Sequence, residues 1–319
     1  CGAGGCDTGF AGGYPTGVRQ TPVRGRRRAT SRLRGLALAE RLERARTLDP
    51  PIQTLSEAVV RALPAGPRTD ALHGVPFGQP AHPALVRLPL GCWTSAVLLD
   101  LFRVPGRAQR VLLGLGVLGV FPAAATGLAD WAVLHRDQQR VGIVHLGVQS
   151  AASLLFAGSI VARAARRERL GRILSGGGLG VALGGAYLGG HLALRLGAGT
   201  SHADQIGHLA GTGWHDLCTL DSLPERQPVR RQLGYLSLLA YRSAGSVLVL
   251  SDRCAHLGGP LHQGRVTAER GTLCVVGPWH GSTFGLTDGR VLHGPATARQ
   301  PSFETRVTEE GILQVRPRP

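Results

Sequence analysis

The chain contains no lysine and no methionine, so each of the 36 basic residues among its 319 is arginine. The missing methionine includes position 1, which reads as a fragment or an over-extended reading frame. The surplus of Ala, Gly, Arg, Pro and Leu reads as a GC-rich coding sequence. Aromatic residues make up only 5% of the chain. That scarcity matters, because a formal charge of +16 and a pI of 11.2 would ordinarily point to nucleic acid. Stacking on bases needs aromatics interleaved with the positive charges. Here the arginines crowd an N-terminal head and the loops that flank apolar segments, so no nucleic-acid partner is expected. The six cysteines (Cys1, Cys6, Cys92, Cys218, Cys254, Cys274) are too scattered for a disulfide framework. No apolar core of secretory length follows the head's arginines, since Leu36 to Ala39 is too short, and no signal peptide is expected.

Four long apolar runs are present: Ala84 to Phe102, Val111 to Ala129, Val141 to Val161 and Ile173 to Leu194. Each is near the roughly 20 residues that cross a bilayer core. The last three contain no Asp, Glu or Arg, and in the first Arg87 and Asp100 stand close enough to its ends to reach water. Glycines at small-xxx-small spacing (Gly176, Gly180, Gly184; Gly185, Gly189) allow close helix approach. Four such runs in succession argue against a soluble helical core and place the chain in the cell membrane as a multi-pass protein. Ahead of them, residues 1–38 read as a disordered or non-native segment. Residues 39–80 read as an amphipathic lead-in, its helical spacing (Leu42, Leu48, Ile52, Leu55, Val59, Val60) broken at Pro50-Pro51. Residues 81–196 form the four-span domain and 197–213 a linker rich in Gly, Ser, Thr and His. From 214 to 319 the period shortens to strands over 214–217, 229–233, 236–242, 246–250, 273–276, 303–307 and 312–315. The expected architecture is a transmembrane four-helix bundle followed by an all-β domain.

Within the β domain, Cys254-Ala255-His256-Leu257-Gly258-Gly259-Pro260-Leu261 and Gly277-Pro278-Trp279-His280-Gly281-Ser282-Thr283-Phe284 resemble the two cluster-binding loops of Rieske iron–sulfur domains. Asp288-Gly289 as a hairpin turn and Gly294-Pro295-Ala296 as a covering proline loop extend the resemblance over roughly the last third of the chain. It implies a [2Fe–2S] cluster with two thiolates on one iron and two imidazoles on the other. Cys254, His256 and His280 match ligand positions. Gly277 stands where the family has its second cysteine, and the nearest thiol, Cys274, lies three residues earlier in an expected strand. Ser282 matches a position where quinol-oxidising members place a hydroxyl against a cluster sulfur, a contact that raises potential. Phe284 stands where those members often have Tyr, and Gly259 and Trp279 replace their loop disulfide. No oxygenase catalytic domain is expected, because the chain ends at Pro319.

The apolar region is similar to a bacterial four-helix membrane domain of poorly defined function. The carrying residues are His82-Pro83-Ala84-Leu85, Leu90-Gly91-Cys92-Trp93-Thr94-Ser95, Ala125-Thr126-Gly127-Leu128-Ala129-Asp130-Trp131 and Tyr187-Leu188-Gly189-Gly190-His191-Leu192. With four spans, the start of the first and third and the end of the second and fourth share one face. That face gathers His82, Asp130, His145 and His191 beneath the β domain. Ionisable groups bordering a membrane bundle usually have work to do. His145 and His191 would ligate one haem or grip one quinone, or each would tie neighbouring helices together. Arginine counts in the loops place the first and third in the cytoplasm and the β domain outside. Two functions stay open. One is a membrane-anchored Rieske-type electron-transfer protein exchanging electrons with a quinone, a haem or a redox partner protein; whether it is itself an oxidoreductase is undecided. The other is a structural or interaction subunit whose Rieske fold has lost its cluster at Gly277.

Overall fold

The computed structural model describes residues 34–104 and 107–318. Most of the segment expected to be disordered lies outside that range. Its last residues, from Arg34, already belong to the first helix.

Two amphipathic helices lead in, α1 (Arg34–Glu43) and α2 (Asp49–Ala62). Pro50 and Pro51 do not break the second. They occupy its first turn, where a missing N–H costs nothing because that donor has no intrahelical partner. Ile52, fully buried, packs with Trp131 and Ala132 of the bundle. Arg140 fastens the lead-in with a two-pronged bond to Asp49, at 2.7 Å to each oxygen, and a 2.8 Å bond to the Glu43 carbonyl. A short helix follows, α3 (Pro67–His73), ended by Gly74 in the left-handed conformation.

The bundle comprises α4 (Ala81–Leu85) running into α5 (Arg87–Leu101), then α6 (Ala108–Ala132), α7 (Arg136–Ala164) and α8 (Glu168–Gly190). All four spans, counted over 81–101, 108–132, 136–164 and 168–195, are long and apolar enough to cross a membrane. Trp93 stacks on Phe156, ring centroids 4.2 Å apart, at the centre of a core with Ala96, Leu113, Ala152 and Ala182. Leu115, Leu118, Phe121, Leu154 and Ile173 point outward and exposed. In water such an apolar rim would aggregate, and lipid is the surrounding that suits it. α7 and α8 approach closely because α8 offers glycines. The His145 ring lies 3.2 Å from where a Gly189 side chain would begin, and Gln149 fills the same space at Gly185.

Asp100 differs from its expected setting. It does not reach water but lies buried against Arg163, its side chain 8% and that of Arg163 4% exposed. Ser175 donates to the same carboxylate oxygen at 3.0 Å, and Arg163 Nε donates to Ser159 at 3.2 Å.

After a connecting segment with the short helix α9 (Ile206–Leu209), ten strands among the described residues build two sheets. The larger joins β1 (His215–Thr219), β2 (Pro228–Leu233), β3 (Leu236–Ser243), β4 (Ser246–Ser251), β9 (Ser302–Val307) and β10 (Ile312–Pro317) in the order β1-β10-β9-β4-β3-β2. The smaller runs β5 (Arg265–Glu269), β6 (Thr272–Val276), β7 (Thr283–Gly285) and β8 (Val291–His293) in sequence order. All ladders pair antiparallel. Leu238, Leu239, Leu250, Val275, Phe284 and Leu313, from both sheets, belong to one buried core. Three of these strands, β5, β7 and β8, have no counterpart among the strands expected from the sequence. The β domain rests on the bundle face that holds the ends of α6 and α8 and the start of α7.

Candidate metal centre

The two expected loops converge at one end of the smaller sheet. The first, between β4 and β5, is a tight turn in which Gly258 N–H returns to the Cys254 carbonyl (2.8 Å) and Cys254 N–H to Gly259 (2.9 Å). Gly258 takes φ +76°, which a side chain would strain. Gln300, buried, pins this loop from outside. It accepts from Ala255 N–H at 2.9 Å and donates to the carbonyls of Ser251 and Arg253. The second loop, between β6 and β7, closes through Gly277 N–H to the Ser282 carbonyl at 2.8 Å. Trp279 of the second loop lies against Gly259 of the first. Together they wall a cavity of about 210 Å³, its mouth included, lined by Cys254, His256, Gly277, His280 and Ser282 among others.

The His256 and His280 rings stand edge to face, 5.0 Å between centroids. Burial, reinforced by the neighbouring His280 ring, pushes the His256 imidazole down to about 3. Burial and then His135 bring His280 down to about 4. Both rings are therefore neutral at neutral pH, the state that ligates metal. Burial pushes the Cys254 thiol up, against the backbone N–H groups of His256 and Leu257 and the Ser282 hydroxyl. Ser282 also accepts from Ala296 N–H at 3.0 Å, which ties the proline loop over the cavity.

Do these residues suit a two-iron cluster? His256 Nδ1 is buried with no hydrogen-bond partner, an expensive state unless something else occupies the nitrogen. Among the described residues, no three His, Cys, Asp or Glu side chains gather around a single metal ion. The donors are spread along a cavity wall instead. A side chain begun at Gly277 would start 3.9 Å from Cys254 Sγ, facing the same space. Three donors thus suit the cluster and the fourth is missing. Cys274 does not stand in for it. Its buried thiol donates to the Thr267 carbonyl at 3.5 Å inside the β5–β6 ladder and is absent from the cavity wall.

The bundle's histidines separate by partner. His145 Nδ1 donates to the Gly185 carbonyl at 2.8 Å, which leaves Nε2 as the ring's acceptor. His191 is buried with Nε2 2.7 Å from Glu43 of α1. A molecule held between these two rings through both outer nitrogens would have to displace Glu43. His82 is tied to the Ala123 carbonyl at 2.8 Å. Residues the sequence reading passed over are nearer the candidate centre. His135, at the start of α7, meets the His280 ring at 5.9 Å and the Trp279 ring at 5.6 Å. His73 of α3 is 2.7 Å from Asp130, and this pair shares with His256 and the proline loop a cleft of about 420 Å³, open solvent included. Nothing in the local sequence marks His73 or His135, because both sit beside Gly or Arg in loop-like text.

Two stretches of the chain are similar to known families. Residues 213–304 match the family model of the Rieske [2Fe-2S] domain. Residues 78–202 match that of a predicted membrane protein family, DUF2231. A Rieske domain-containing protein of Homo sapiens is 34% identical over 70 residues, which is 22% of this chain and 45% of that protein. The chain therefore spans less than half the length of that relative. Among solved structures, the E. coli protein NirD is 25% identical, covering 33% of this chain and 96% of its own, with a TM-score of 0.30. The ferredoxin of carbazole 1,9a-dioxygenase from Nocardioides aromaticivorans IC177 is 22% identical, covering 33% of this chain and 98% of its own, with a TM-score of 0.30. The chain joins a DUF2231 membrane domain, over residues 78–202, to a Rieske domain, over residues 213–304.

Proposed function

We propose that this protein is a membrane-anchored electron-transfer protein whose Rieske domain exchanges single electrons with a quinone or haem at the adjacent membrane face. The observation that carries this reading is the placement of the imidazole pair. His280 faces His135 of the membrane domain, and His256 lines the cleft shared with His73 and Asp130. When bound, a [2Fe–2S] cluster held by Cys254, His256 and His280 would supply one-electron chemistry. The chain's own residues keep both imidazoles neutral, bury His256 Nδ1 and hold the loops in register through Gln300 and Ser282. Visible absorption and reduced-state EPR of the purified protein test the reading, with a Rieske-type signal as the supporting result. Gly277 favours a second reading, a structural subunit that keeps the fold without the cluster. That reading predicts no iron and no Rieske-type signal in the protein with glycine at 277.

The arginine-rich first and third loops support an extracytoplasmic Rieske domain. A reporter fused after Pro319 is expected to be active outside the cytoplasm, and activity confined to the cytoplasm reverses the orientation. For the membrane half, His145→Ala and His191→Ala are expected to abolish haem absorbance or quinone-dependent reduction while the bundle stays folded. If both variants keep every redox property and lose only about 1 kcal/mol of stability, the size of one hydrogen bond, the two histidines merely tie helices.

A further inference from the structure

The seven residues of α3, with the turn that follows to Phe77, precede both matched stretches, yet they touch both domains. Asp70, 8% exposed, uses both carboxylate oxygens on the Rieske domain. Oδ1 accepts Gly294 N–H at 2.9 Å, and Oδ2 accepts from His293 Nδ1 at 2.8 Å. One turn on, His73, 4% exposed, holds Asp130 at the end of α6. The same His73 ring packs on Gly294, with Cδ2 3.2 Å from where a side chain there would begin. We propose that α3 is a proton-sensitive clasp that fixes the Rieske domain on the membrane domain and governs access to the cleft beside His256.

The proton sensitivity follows from bonding arithmetic. His293 presents its second nitrogen to Glu269 of β5, at 3.0 and 3.1 Å from the two oxygens. Ionised carboxylates only accept, and a neutral imidazole has one N–H, so both contacts are satisfied only by the imidazolium. Among the described residues, the charged groups bonded to His293 are Asp70 from α3 and Glu269 from β5, and His73 packs beside Gly294. The Asp70 bond, with Glu269 behind it, holds the His293 imidazole above its ordinary value of 6.5, against the pull of burial. A raised value in the docked state means docking is strongest below the ordinary histidine range. It weakens as pH climbs past the raised value. Release would open the cleft, and with it His256, to a partner in solution. This inference does not depend on whether the cluster is loaded.

Hydrogen exchange of the full-length protein in detergent micelles tests it. After correction for intrinsic rates, the amides of residues 291–294, 296 and 297 are expected to lose about tenfold in protection between about pH 6 and about pH 9, the size of one charge-assisted hydrogen bond. Asp70→Asn should lose that protection at every pH, and His293→Gln should make it independent of pH. Strand β3 should stay equally protected throughout. Should Asp70→Asn fold poorly, Glu269→Gln serves in its place, and it should move the loss of protection to lower pH. Protection that is flat across the range in the wild type, equal in Asp70→Asn, or unmoved in Glu269→Gln overturns the clasp.

Discussion

Gly277→Cys is expected to raise the protein's iron content sharply and to bring up a Rieske-type EPR signal that the wild type shows weakly. A thiolate is the strong anionic half of the expected ligand set, and its loss should cost more than the tenfold or so that follows from removing a mere supporting contact around a metal. The site is ready for the change. Gly277 does not need glycine's left-handed freedom, and a new Cβ would meet the Ser282 carbonyl oxygen at 3.3 Å, Leu261 at 3.4 Å and Cys254 Sγ at 3.9 Å. Those first two distances are tight, so the loop must yield by a few tenths of an ångström. Cys274→Ala is expected to leave iron content unchanged in both backgrounds, because that thiol stays in its own ladder. Equal iron in wild type and Gly277→Cys, unchanged by Cys274→Ala, would overturn the idea that the missing thiolate limits cluster binding. A fall on Cys274→Ala would show the strand rearranging to supply the missing ligand.

Asp100→Ala is expected to destabilise the membrane domain by about 3–5 kcal/mol, the cost of leaving a buried charge without its partner. Arg163 would keep only Ser159, Ser175 and the more distant Glu168, the last at 3.4 Å. It cannot swing away easily, because its stem packs on Gly171, where even a methyl group would stand 2.6 Å from Arg163 Cγ. The double change Asp100→Ala with Arg163→Leu should recover most of the loss. Unfolding in mixed micelles, followed by helical circular dichroism, gives both numbers. A single-variant cost below about 1 kcal/mol, typical of an exposed pair, would mean that water reaches the site after all.

The parts of this molecule that were legible in sequence are those in which one local pattern repeats. The four spans announce themselves because lipid demands some twenty apolar residues in a row. Strands β3, β4, β9 and β10 show because they carry apolar side chains to a shared core. The turn glycines and ligand types of the two loops show for the same reason, since each is needed at a fixed offset. What stayed hidden depends on partners distant in the chain. β7 and β8 are three residues each and exist only by pairing with their neighbours. Asp100 reads as a terminal charge until Arg163, 63 residues later, is seen beside it. Asp70 and His73 carry no mark of their own within the amphipathic lead-in, although the first grips Gly294 and the second Asp130. Cys274 was open as a substitute ligand because spacing alone does not say which way a strand residue points.

The setting of Trp279 gives the molecule a built-in optical probe. Of the four indoles, Trp93 and Trp131 are buried, and Trp214 packs against the guanidinium groups of Arg306 and Arg316. Trp279 alone among them is largely open, at 52% exposure, and it lies against Gly259 with His135 at its edge. Its emission should be the first to be quenched by iodide in the bath and the reddest of the four. The light it sheds therefore comes from the junction of both loops with the membrane domain, and subtraction of a Trp279→Phe spectrum would isolate that signal.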